Sequence, residues 1–124
     1  MERQAPQELD VWIGGFLGPS YKVRLEGDEL VYEVYERAYE LFSTERLRPS
    51  PADWSRFLTH LDGCGYWRWD EIYSSDINSE GTTWYVSIRV GGQTNAVRGL
   101  NVYPPGFVDL LRAMRGLLGG RQFA

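Results

Sequence analysis

The stretch Gly65–Pro105, GYWRWDEIYSSDINSEGTTWYVSIRVGGQTNAVRGLNVYPP, decides how this chain is read. Three of the five tryptophans, Trp67, Trp69 and Trp84, lie in it, with Tyr66, Tyr73, Tyr85 and Tyr103 among them. Aromatic side chains at that density bury area or grip a partner. The pattern reads as strand, turn, strand, turn, strand, then a double proline opening a helix. Trp67, Trp69, Glu71 and Tyr73 alternate with Tyr66, Arg68, Asp70 and Ile72, which predicts a strand over 66–73 with two distinct faces. Trp84, Val86, Ile88 and Val90 face one way along the next strand, opposite Tyr85, Ser87 and Arg89. Gly91-Gly92 turns the chain, and 96–103 forms another strand in which Gly99 marks a bulge or a close contact. Pro104-Pro105 starts a helix with the apolar stripe Phe107, Leu110, Leu111, Met114, Leu117 and Leu118, stopped by Gly119-Gly120.

Upstream of this stretch, residues 1–9 read as a loose polar arm. A first strand is expected over 10–17, with Gly14-Gly15 as a bend. Tyr21, Val23 and Leu25 alternate with polar neighbours in a second strand. Over 29–42 two readings compete. Leu30, Tyr32 and Val34 fit a third strand, whereas Leu30, Val31, Val34, Ala38, Leu41 and Phe42 fit a helix capped at Asp28. The density of Tyr and Val favours the strand. Residues 44–49 read as a linker. Ser50, Pro51 and Asp53 then form a helix start of capping-box type. Trp54, Phe57, Leu58 and Leu61 follow as one apolar stripe ended by Gly63.

The expected fold is α+β, a single domain over 1–124. It has one mostly antiparallel sheet of about six strands, with two helices on one face in the order βββα-βββα. The two helix stripes share a spacing, and Val23-Leu25-Gly27 resembles Ile88-Val90-Gly92, which raises an internal duplication as a hypothesis. A one-residue error in facing would exchange the two sides of every strand.

Composition narrows the function. A chain of 124 residues with 43% hydrophobic and 24% charged residues has enough apolar matter to fold without staples. The net charge is −4 and Lys22 is the only lysine, so no basic stripe is available to displace counterions from nucleic acid. One cysteine excludes an intrachain disulfide, and one cysteine with one histidine argues against a zinc site. The polar N-terminus lacks a signal-peptide core, and no apolar run approaches a membrane span. A cytoplasmic protein without cofactor, metal or membrane contact is expected.

Four local patterns invite a chemical reading. His60 and Cys64 lie four apart at a helix end, but a nucleophile pair also needs an orienting group and an oxyanion hole, and a solvated histidine beside a turn cysteine describes the same residues. Asp76-Ile-Asn-Ser-Glu-Gly81 resembles half of a calcium loop, yet the twelfth position is Ser87 instead of the bidentate Glu, and a hairpin turn accounts for it. Asp70 and Glu71 point to opposite faces and cannot share a proton. Glu71, on the tryptophan face, would need Arg98 or Arg89 if buried. In Arg98–Pro105, Gly99 and Asn101 could offer backbone groups to a ligand, or the run could be a bulged edge strand entering a proline-initiated helix. No catalytic residue set emerges.

From Pro49 to Leu118 the chain carries an aromatic helix, Trp69, Tyr73, Gly81 before Trp84, then Gly99, Asn101, Tyr103 and Pro104. In this it resembles a family of small uncharacterised bacterial proteins sharing W…Y…G-x-x-W…G-x-N-x-Y-P. The resemblance implies a bacterial cytoplasmic domain and transfers no activity. Two functions stay open. One is a non-enzymatic protein-binding module of immunity or accessory type, engaging a partner protein or a second copy through an aromatic and arginine-bearing sheet face. The other is a small-molecule-binding domain or enzyme with an aromatic-lined pocket between sheet and helices. The candidate contact residues are Trp67, Trp69, Glu71, Tyr85, Arg89, Arg98, Asn101 and Tyr103.

Overall fold

The computed structural model describes residues 4–15, 18–37, 40–74 and 81–124. Seven strands form one sheet: β1 (Glu8–Gly14), β2 (Ser20–Glu26), β3 (Glu29–Tyr35), β4 (Leu41–Leu47), β5 (Ile72–Ser74), β6 (Thr83–Val90) and β7 (Gln93–Leu100). The helices are α1 (Pro51–Gly63) and α2 (Phe107–Leu117), with a 3₁₀ turn at Tyr66–Arg68. The sheet order is β4-β3-β2-β1-β6-β7-β5. All pairs are antiparallel except β5 with β7. The α+β class, the single mostly antiparallel sheet and the two helices agree with the sequence reading.

Cross-strand register defines the two faces. Leu9, Val11 and Ile13 of β1 align with Ile88, Val86 and Trp84 of β6, and Val11 and Ile13 with Val23 and Tyr21 of β2. These residues share one buried cluster with Trp54, Phe57, Leu58 and Leu61 of α1 and Phe107, Leu110, Met114 and Leu117 of α2. Both helices therefore cover the same face. Each expected stripe is buried, apart from the half-buried Leu111. The start of α1 is built as its sequence indicates. Ser50 Oγ accepts from Asp53 N at 3.1 Å, and Asp53 Oδ2 accepts from Ser50 N at 3.0 Å. Those bonds satisfy two of the helix's otherwise orphaned donors and hold the Asp53 carboxyl below its ordinary range.

Several expectations are corrected. Glu8 and Leu9, assigned to the arm, begin β1, and Leu9 is buried. β1 ends at Gly14, and Phe16 and Leu17 lie outside the described residues. The competition over 29–42 resolves as strand for Glu29–Tyr35, and residues 41–47 are a fourth strand paired to β3, not a linker. β4 was hidden because it is one of the sheet's two edge strands, so none of its side chains is fully buried and its alternation carries little hydrophobic signal. The sixth expected strand is shifted to Gln93–Leu100. The order becomes ββββα-βββα, a four-strand meander followed by a unit containing a parallel pair, so the halves do not repeat.

The largest correction is the strand expected over 66–73. The left-handed Gly65 turns the chain, Tyr66–Arg68 form the 3₁₀ turn, and only Ile72–Ser74 enter the sheet. Long-range bonds override the alternation. The buried Tyr66 hydroxyl donates to the carbonyls of Val86, at 2.9 Å, and Asn95. Asn95 Nδ2 returns a bond to the Tyr66 carbonyl at 2.8 Å. A buried tyrosine that must satisfy its hydroxyl is pulled down onto the sheet instead of extending it. Trp67, Trp69, Glu71 and Tyr73 consequently do not form one strand face.

After α2 the chain doubles back. Phe123 is fully buried against Tyr21, with ring centroids 6.0 Å apart, and Tyr32 donates its hydroxyl to the Gln122 carbonyl at 2.6 Å. This closes the core beneath β2 and β3, beyond the Gly119-Gly120 stop.

Candidate binding face

The opposite side of the sheet carries neither helix. Register places Thr44, Glu33, Lys22, Trp12, Tyr85, Arg98 and Ile72 side by side in one row across β4-β3-β2-β1-β6-β7-β5. The next row holds Arg46, Val31, Arg24, Asp10, Ser87 and Ala96. The face has two unlike halves.

On β2, β3 and β4 it is a lattice of ion pairs. Arg24 meets Glu26 at 2.6 Å and Glu33 at 3.6 Å, and Arg46 meets Glu26 at 3.1 Å and Glu29 at 3.7 Å. Val31 lies directly between Arg24 and Arg46 and is only 1% exposed. The aliphatic stems of the two arginines shield it while their head groups stay in water.

Around β1, β6 and β7 the face is aromatic. Trp12 packs edge to face on Tyr35, with centroids 5.5 Å apart, and its indole donates to Thr83 Oγ1 at 3.2 Å. Tyr85 donates its hydroxyl to Asp10 Oδ1 at 3.0 Å. Burial first, and the Asp10 carboxylate second, push the Tyr85 hydroxyl well above the ordinary tyrosine range, so it remains a donor at any physiological pH. Burial and then the nearby Glu33 also raise the Tyr35 hydroxyl. These rings floor an open concavity of about 1080 Å³ that extends to Lys22 on one side and Arg98 on the other. Among the described residues neither Lys22 nor Arg98 makes an ion pair. The acids on their side of the sheet are engaged, Asp10 by Tyr85 and Glu33 by Arg24.

The candidate residues fall in different places. Tyr85 and Arg98 are neighbours in the row, and Arg89 lies farther along β6 on the same face, 4.0 Å from Glu8. Trp69 is buried on the helix side, and Trp67 is half-buried with its indole bonded to Asp62 Oδ1 at 2.9 Å. Glu71 is exposed, outside any strand, and holds the sheet through its carbonyl, which accepts from Arg98 N at 3.0 Å. Tyr103 is 44% exposed. Sequence reading missed Trp12, Lys22 and Tyr35 as members of the face. The only available signals were Lys22 on the polar side of its strand and Trp12 out of phase with the apolar residues of β1.

The motif residues instead assemble around Trp84. Its ring meets Phe107 at 4.7 Å, Tyr73 at 6.1 Å, and Trp69 and Tyr103 at 6.3 Å between centroids. These rings fill the layer between sheet and helix. A Cβ on Gly99 would lie 2.3 Å from Trp84 Nε1, so the indole occupies the space a side chain would need. The indole donates to the Val102 carbonyl at 3.0 Å. Gly81 plays the same part for Asn101, whose Oδ1 would be 2.1 Å from a Cβ there. Asn101 adopts φ 59° and accepts from Thr82 N at 2.9 Å. Glycine and asparagine in this string make a structural lock.

His60 and Cys64 both line a cleft of about 250 Å³ between α1 and α2. The Cys64 thiol donates to the Leu61 carbonyl at 3.3 Å, and burial raises its pKa, the opposite of what an attacking thiolate requires. Residues 76–80 of the calcium-loop pattern lie outside the described residues. Among the described residues no group of three or more His, Cys, Asp or Glu is arranged to hold a metal ion, and no helix is long and apolar enough to cross a membrane.

No protein-family model matches the chain, and no curated protein matches it either.

Proposed function

We propose that this protein is a non-enzymatic binding module of immunity or accessory type, which holds a partner protein on the open face of its sheet. One observation carries the reading: the half-buried rings of Tyr35 and Tyr85 and the edge of the largely buried Trp12 line an open concavity between two cations that make no ion pair among the described residues. Rigid rings with few rotatable bonds give up little entropy on contact, and tyrosine, tryptophan and arginine dominate contact energies at interfaces. The concavity is wide and open, which suits a protein surface better than an enclosed small ligand.

The test compares tagged wild-type protein with Tyr85→Ala/Arg98→Glu on the open face and Arg112→Glu on the exposed side of α2, with the solution mass of each complex measured. A stoichiometric partner kept by wild type and Arg112→Glu but lost by the double variant supports the module. Retention by the double variant moves the site elsewhere and overturns it. A wild-type dimer dissociated by the double variant replaces the foreign partner with a second copy.

A further inference from the structure

The row across the open face specifies a partner chemistry. We infer that it receives an extended segment bearing two carboxylates four residues apart with an apolar side chain midway, acid-x-apolar-x-acid. This rests on the open face being the binding surface.

Lys22, Trp12, Tyr85 and Arg98 are consecutive neighbours across four adjacent strands. Adjacent strands lie about 4.8 Å apart, so the two cations are anchored about 14 Å from each other. An extended chain rises about 3.3 Å per residue, which puts residues i and i+4 about 13 Å apart with residue i+2 on the same side between them. A segment crossing the row would set one carboxylate on Lys22 and the other on the planar fork of Arg98, which can bind it bidentately. Its middle side chain would rest on the half-buried ring of Tyr85 and the exposed edge of Trp12, itself largely buried, with Leu100 and the exposed Ile72 at the rim.

Charge sets the sign. The chain carries a net −4, yet among the described residues both cations lining this concavity lack ion pairs, while the acids nearest them are taken by Tyr85 and Arg24. A basic segment would leave Lys22 and Arg98 facing like charge.

Selection of a displayed random twelve-residue peptide library on the immobilised intact protein tests the inference. The expected result is enrichment of the acid-x-apolar-x-acid pattern. A synthetic peptide of that pattern should lose affinity on the order of tenfold with either Lys22→Gln or Arg98→Gln, and similarly when either of its acids becomes an amide. Unchanged unfolding midpoints would show that these variants are folded. Enriched peptides without the paired acids, or indifferent to both substitutions, overturn the inference, as does absence of enrichment. If such peptides still lose binding with Tyr85→Ala, the open-face reading survives alone. If they ignore Tyr85→Ala as well, both readings fall.

Discussion

The two faces of this sheet are built from the same strands and use aromatic residues to opposite ends. On the helix side, Trp84 is 1% exposed and surrounded by four other rings, with a missing Cβ at Gly99 making room for its indole. On the open side, Trp12 and Tyr85 are next to each other in register but have no helix above them, and cations stand at either end of the pair. Aromatic content therefore does not separate the helix-covered face from the open one. What separates them is that both helices pack over one face and neither over the other. The comparison also explains why residues that look site-like as a string, Gly99, Asn101 and Tyr103, serve packing, while an inconspicuous lysine lines the open concavity.

The sharpest way to break this contrast is to truncate one ring on each side. Trp84→Ala should cost about 3–5 kcal/mol, a large part of the stability of a domain this size, read from urea unfolding. Tyr85→Ala, half-buried on the open face, should cost much less while abolishing partner capture. A loss as large as that of Trp84→Ala would show that the open face is part of the core.

Gly99→Ala comes next. Its methyl would collide with the Trp84 ring, and an overpacked site of this kind costs about 1–3 kcal/mol. A neutral result in chemical denaturation would mean that Trp84 can move and that the lock is loose. The Ser50→Ala variant sharpens the local end of the scale. It removes one half of the capping box of α1 and should cost about 1 kcal/mol with no change in partner binding.

The pH dependence of stability reports on raised tyrosine hydroxyls on both faces, Tyr66 under the helices and Tyr85 on the open side. Burial raises the Tyr66 hydroxyl far above the unfolded value of 10.0. The unfolded chain thus ionises first as pH rises. The contribution of Tyr66 is fully present below about pH 10 and declines above it, towards its raised folded value. Urea midpoints should fall above pH 10, and Tyr66→Phe should remove part of that slope. The smallest effect on stability belongs to Arg98→Gln. Its side chain is exposed and makes no ion pair among the described residues, so the unfolding midpoint should stay where it is while partner affinity drops.

Much of the fold is legible along the chain because it is encoded over short distances. The capping residues and stripe of α1, the alternation in β2, β3 and β6 and the stripe of α2 each follow from neighbours within a few positions. Even the facing of β6 could be read, since Trp84, Val86 and Ile88 are buried together. Of the candidate contact residues named from the sequence, Tyr85 and Arg98 lie side by side on the open face. Tertiary structure alone decided the rest. Residues 66–70 alternate like a strand, but Tyr66 and Asn95 satisfy each other's polar groups only when the segment leaves the sheet. β4 exists because β3 offers it a row of backbone donors and acceptors, which its own side chains do not advertise. The row Lys22-Trp12-Tyr85-Arg98 is drawn from both ends of the chain. Strand register is a long-range property, and only the folded sheet brings those four side chains into line.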